Sequence, residues 1–129
     1  MISVAEKKRI LVIDDEEEIC QFTKSVLEKT GRFEVNYTTK SQEGIALAKS
    51  FHPDLVLLDV FMPEMDGGDV AAALAQDKAT KDIRIVFLTA LALKSEVEES
   101  AGEIAGHPFI AKPVTSDELI TRIDLQLRK

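Results

Sequence analysis

At 129 residues, 45% hydrophobic and 30% charged, the chain has the size and composition of one globular domain with a single real core. Its net charge of −7, with bases clustered only at Lys7-Lys8-Arg9, argues against direct nucleic-acid binding. No apolar run reaches the ~18 residues of a membrane span, the polar, basic stretch Met1 to Arg9 is not expected to be a secretory leader, and a lone cysteine, Cys20, excludes an internal disulfide, so no membrane association is expected and the cytoplasm is the expected location.

In chain order, apolar runs rich in Ile, Val, Leu and Phe alternate with longer amphipathic segments. Arg9–Ile13 reads as the first strand, continuous in its apolar residues as a strand buried on both faces should be. The next segment places Ile19, Phe22 and Val26 on one helical stripe, and Gly31 suits its C-terminal end, where a left-handed backbone is common. Strand Phe33–Tyr37 leads to a second helix with Ser41 as its expected N-cap. Strand Leu55–Leu58 runs into a loop shaped by Pro63, Gly67 and Gly68, the glycines permitting backbone angles other residues avoid, and Asp66 is placed to cap the third helix. Strand Ile83–Leu88 precedes a fourth helix, about Lys94 to Ile104, which opens with Ser95 and Glu98 in capping-box spacing but is polar and interrupted by Gly102. Strand His107–Ala111 is followed by a last helix opening on a second capping box, Thr115 and Glu118, with Leu119, Ile120, Ile123 and Leu127 on one stripe. Strict β-α alternation predicts an α/β fold, a doubly wound parallel sheet with helices on both faces.

In such sheets ligands bind beyond the carboxyl ends of the strands. The strand ends here are Asp14-Asp15-Glu16, Leu58-Asp59, Leu88-Thr89-Ala90 and Ala111-Lys112-Pro113. Acids, a hydroxyl and an amine thus converge on one rim. Crowded carboxylates repel one another, and a single Lys does not neutralise them. All are hard oxygen donors, so Mg²⁺ is the expected cation. Mg²⁺ binds through one or two carboxylates plus phosphate oxygens, which leaves a carboxylate to attack phosphorus while Lys112 and Thr89 hold the transferred oxygens.

These segments resemble the receiver domains of response regulators in two-component signalling systems. The resemblance is carried by Lys8-Arg9-Ile10-Leu11-Val12-Ile13-Asp14-Asp15-Glu16, by Pro53 to Asp59 followed by Met62-Pro63-Glu64-Met65-Asp66-Gly67, by Phe87-Leu88-Thr89-Ala90 and by Lys112-Pro113. It covers about Lys8 to Leu127, which implies one receiver domain over 1–129. The implied fold is a flavodoxin-like (βα)5 sheet with strand order 2-1-3-4-5. The implied function is acceptance of a phosphoryl group on Asp59 from a sensor histidine kinase or a histidine phosphotransfer protein. By the same resemblance Asp14, Asp15, Asp59 and the backbone carbonyl of Phe61 hold Mg²⁺. Lys112 pairs with the acceptor and then the phosphoryl group. Thr89 is the switch hydroxyl and Phe109 matches the switch aromatic, although Phe109 reads equally well as a core residue of the fifth strand. The Lys112-Pro113 bond is expected to be cis, a form proline makes accessible. The implied output surface is helix four, strand five and helix five, presented to a downstream protein or output domain. The chain would be a signalling phosphoacceptor that assists only its own phosphorylation and dephosphorylation.

Two positions depart from relatives that carry polar groups there: Phe61, two after the acceptor, and Leu91, two after Thr89. Bulky apolar side chains at both should restrict water, so the phosphoaspartate is expected to be long lived. Phe61→Asn with Leu91→Glu should shorten its half-life, and an unchanged half-life would remove the argument. His52 and His107 lie on no histidine-bearing helical stripe and read as structural. A phosphatase of the haloacid dehalogenase type also uses a strand-end Asp with Mg²⁺, but needs a second Asp where this chain has Phe61. A binding module that retained only the fold would be expected to lack an acid, the acceptor or the Lys, and all are present. A stand-alone regulator and a domain of a longer protein both remain open, as does onward transfer of the phosphoryl group to another histidine.

Overall fold

The computed structural model describes residues 7–90, 103–104 and 106–128, apart from the side chains of residues 89, 103 and 104. Its elements are β1 (Lys8–Ile13), α1 (Glu17–Lys29), β2 (Phe33–Thr38), α2 (Ser41–Phe51), β3 (Leu55–Leu58), α3 (Gly67–Gln76), β4 (Arg84–Thr89), β5 (Glu103–Ile104), β6 (His107–Ala111) and α4 (Ser116–Leu127). Strands β2, β1, β3, β4 and β6 pair in that order and all run parallel. This is the predicted 2-1-3-4-5 order, β6 being the fifth predicted strand. One element was not anticipated: the two-residue β5 adds an antiparallel strand at the outer edge of β6.

The apolar runs divide between the two faces with the two-residue period of a strand. Ile10, Val12, Leu55, Leu57, Val86, Leu88 and Ile110 face α1 and α4, where they meet Cys20, Leu27, Leu119 and Ile123. Leu11, Ile13, Val56, Leu58, Ile85, Phe87 and Phe109 face α2 and α3, where they meet Ala48, Val70, Ala71 and Leu74. Each such Leu, Ile or Val side chain contributes about 1.5–3 kcal/mol by leaving water. The sheet is therefore held from both sides.

Several local expectations are met. Asp66 caps α3 by accepting from Asp69 N at 2.9 Å, and Thr115 caps α4 by accepting from Glu118 N at 3.2 Å. Gly31 takes a left-handed φ of 76° just past the end of α1. The Lys112-Pro113 bond is cis. His52 caps the end of α2 with a φ of 54°, and the His107 ring meets Phe87 edge-on at 5.8 Å.

Others are corrected. Phe22 is 38% exposed, and the buried face of α1 is instead Cys20, Thr23 and Leu27, with Ile19 and Val26 flanking it. Ser41 is the first residue of α2 rather than its cap; Lys40 takes the cap position, and the Ser41 hydroxyl donates to Met65 O at 2.7 Å. Gly67 and Gly68 do not adopt positive φ; the space at Gly67, described below, explains it better. The predicted fourth helix lies outside the described residues, Ser95 included, except for Glu103 and Ile104, which are strand because they pair with Pro108 and His107. Among the described residues no helix is long and apolar enough to cross a membrane.

Candidate functional site

The chain leaves β1 toward β2 on one side and leaves β3 toward β4 on the other, so the winding reverses between these two central strands. Their carboxyl ends mark the crevice where doubly wound sheets bind ligands. Asp14 and Asp59 are the first residues beyond β1 and β3, whose last residues Ile13 and Leu58 are partners in register. The Asp59 amide donates to Ile13 O at 2.9 Å and the Asp14 amide to Thr38 O at 3.2 Å, so the sheet's own hydrogen bonding holds both backbones. Both residues are buried, Asp14 completely and Asp59 to 5% exposure.

Lys112 follows β6 at the same edge and reaches back across the sheet. Its ammonium lies 2.7 Å from Asp14 Oδ2, 2.9 Å from Glu16 Oε1 and 3.9 Å from Asp59 Oδ1. Carboxylate oxygens of Asp14, Asp15, Glu16 and Asp59 all come within 4.8 Å of one another. The Glu16 amide donates to Asp14 Oδ1 at 2.9 Å, which fixes the turn into α1. From below, the Cys20 thiol donates to Asp14 O at 3.3 Å; burial and the Asp14 charge push that thiol up to about 12, so it stays neutral.

The loop after β3 completes the rim. The Gly67 amide donates to Val60 O at 2.8 Å, bringing the start of α3 against the backbone of the turn that follows Asp59. A Cβ at Gly67 would strike the Asp59 carbonyl oxygen and lie 2.9 Å from Val60 Cα. Glycine is needed here for close approach, not for an unusual φ. The Phe61 ring stands 63% exposed beside this turn, whereas Phe109 is buried on the α2–α3 face, its carbonyl accepting from Arg122 Nη2 at 2.8 Å. The Thr89 backbone ends β4 opposite Ala111. The Thr89 side chain and Leu91 lie outside the described residues.

The electrostatics follow from burial and crowding. Burial, and then the Asp14 charge, push the Asp59 carboxyl up to about 7 despite Lys112. Asp14 is raised by burial, against the pull of Lys112. Burial disfavours the Lys112 ammonium, but Asp14 and Glu16 more than compensate and its pKa ends above the ordinary value. Among the described residues, one ammonium beside four carboxylates leaves excess negative charge on hard oxygen donors, with neither Cys nor His among them. That donor set fits a small dication such as Mg²⁺, which also relieves the repulsion.

A pH dependence follows. The folded protein keeps a proton on Asp59 that the unfolded chain, titrating near 4, has released. Between about pH 4 and pH 7 the metal-free protein therefore loses stability from this group as pH rises, with the full cost present above pH 7. In urea melts at pH 8, Asp59→Asn should be more stable than the metal-free parent by on the order of 2–4 kcal/mol, with a smaller gain at pH 5. Mg²⁺ should likewise stabilise the parent more at pH 8 than at pH 5, where protons compete for the carboxylates. A variant less stable than the parent at pH 8 would refute this.

A doubly wound parallel sheet with buried acids and a lysine at its switch point defines an α/β domain with a charged site at its carboxyl edge, and similarity to known proteins narrows the class. The chain belongs to the response regulator receiver domain family, whose model matches residues 10–124, and so to two-component signalling. The DNA-binding dual master transcriptional regulator RpaA of Synechocystis is 32% identical over 122 residues, which make up 94% of this chain and 49% of RpaA. The polar-differentiation response regulator DivK of Brucella ovis is 29% identical over 116 residues, 90% of this chain and 93% of DivK. The chain thus spans about half the length of RpaA and nearly all of DivK. A crystal structure of a response regulator from Desulfuromonas acetoxidans superposes with a TM-score of 0.81 at 27% identity, covering 94% of this chain and 97% of that one.

Proposed function

We propose that the chain is one receiver domain, with its core at about 8–127, that takes a phosphoryl group onto Asp59 from a sensor histidine kinase or histidine phosphotransfer protein in the cytoplasm. The observation that carries this reading is the convergence of a buried Asp59 at the end of β3 with Asp14 and the Lys112 ammonium at the switch point.

Asp14, Asp15 and Asp59, with the Phe61 carbonyl, would hold Mg²⁺. When bound, the ion offsets negative charge on the phosphoryl oxygens and carboxylates. An Asp59 oxygen attacks phosphorus in line with the leaving group. The new O–P bond forms as the donor's N–P bond breaks, its electron pair passing to the imidazole nitrogen. Deprotonated Asp59 is the nucleophile, so the carboxyl must first lose the proton that burial favours. Lys112 and Thr89 hold the phosphoryl oxygens in the transition state and afterwards. Hydrolysis by water later restores the carboxylate and releases phosphate.

With the Thr89 hydroxyl drawn to the phosphoryl group, Phe109 and the surface of the predicted fourth helix, β6 and α4 would change and be read by a downstream protein or output domain, without direct nucleic-acid contact by this chain. The first test is intact-mass measurement after incubation with acetyl phosphate, with and without Mg²⁺. A single phosphoryl gain that requires Mg²⁺ is expected. No gain under either condition would contradict the proposal.

A further inference from the structure

We propose that Glu16 is a positioning residue that sets where Lys112 rests and so how readily its ammonium reaches a phosphoryl group on Asp59; this deepens the receiver reading above and rests on it. Lys112 is shared unequally. Its Nζ lies 2.7 Å from Asp14 and 2.9 Å from Glu16, but 3.9 Å from Asp59. In the unphosphorylated protein the ammonium is therefore anchored to the acids after β1 rather than to the acceptor.

The two anchors differ in kind. The Asp14 side chain is 1% exposed on a backbone held by the sheet, so it is the firmer of the two anchors. The Glu16 side chain is 59% exposed on a longer, solvated arm, and such a contact is weak enough to release. A phosphoryl group on Asp59 adds up to about two negative charges and three acceptor oxygens. Lys112 then keeps Asp14 and exchanges Glu16 for the phosphoryl oxygens. The Glu16 contact is lost on phosphorylation, so whatever it contributes favours the unphosphorylated state. Glu16 acts as a brake on the site without touching the reacting atoms.

Glu16→Gln tests this cleanly, because the Glu16 backbone amide, not its side chain, makes the hydrogen bond to Asp14. Removing an acid also weakens repulsion of any anionic donor. The control is Glu17→Gln, which removes the same charge from a side chain that faces Gln21 and Tyr37.

The experiment follows phosphorylation of parent and both variants by acetyl phosphate with Mg²⁺, by intact mass against time. Glu16→Gln should react about threefold to fivefold faster than either of the others, the scale of a partly exposed ion pair. In the metal-free parent, NMR of the Lys112 ammonium should show coupling across its hydrogen bond to the Glu16 carboxylate carbon, and Glu16→Gln should remove it. Equal rates for the two variants, a slower Glu16→Gln, or no coupling in the parent would overturn the inference alone. A parent that takes up no phosphoryl group would overturn the receiver reading, and this inference with it.

Discussion

Lys112→Ala should slow phosphorylation by acetyl phosphate at least about a hundredfold, the cost of deleting one preorganised charged donor to developing phosphoryl charge. The same substitution should destabilise the fold. The Lys112 side chain is 8% exposed and its partner Asp14 1%, so truncation strands buried carboxylates without their cation. Breaking such a pair from one side costs about 3–5 kcal/mol. Asp14 and Asp59 are already raised by burial and escape part of that cost by taking up protons. The loss in urea melts should therefore be larger at pH 8 than at pH 5.5. Phosphorylation near the parent rate would remove Lys112 from the proposed chemistry, and an unchanged stability at pH 8 would mean that the acids are paired some other way.

Gly67→Ala should cost about 3 kcal/mol, at the upper end of what an added methyl does in a filled site. Its Cβ meets the Asp59 carbonyl and Val60 Cα, and backbone atoms cannot rotate aside as a flexible side chain would. Relief requires moving the start of α3 away from the turn after Asp59, which strains the bond from Gly67 N to Val60 O. Phosphorylation should slow in parallel, because this turn adjoins Asp59. Gly68→Ala provides the contrast: its Cβ approaches only Asp66 Oδ1, at 3.3 Å, and its effect should stay within about 0.5 kcal/mol. Equal effects at the two positions, measured by urea denaturation, would refute the steric argument.

The strands were legible because Ile10–Ile13 and Leu55–Leu58 are continuous apolar runs too short for a helix, as strands covered on both faces require. The strand ends then gathered Asp14, Asp59 and Lys112 at one rim from alternation and winding alone. What the sequence did not display were contacts decided by tertiary packing. On α1, helical spacing made Phe22 look like core, but small Cys20 and Thr23 fit against the sheet and the Phe is turned outward. Ser41 has the residue type of an N-cap, yet its hydroxyl serves a carbonyl far along the chain, in the loop before α3. Gly67 read as a turn residue because conformational freedom is a local property, whereas the closeness of Asp59 is not. The pairing of Lys112 with Glu16 joins residues 96 positions apart, and spacing alone gave no reason to prefer Glu16 over Asp59.

The central claim is that Asp59 itself carries the phosphoryl group. The most direct measurement is borohydride reduction of the acetyl-phosphate-treated protein, followed by peptide mapping, since hydride converts an acyl phosphate to an alcohol and leaves a free carboxylate alone. The account predicts homoserine at position 59, dependent on Mg²⁺, and no converted residue in Asp59→Asn. Conversion at another acid in the parent, or none anywhere despite a phosphoryl mass gain, would contradict it.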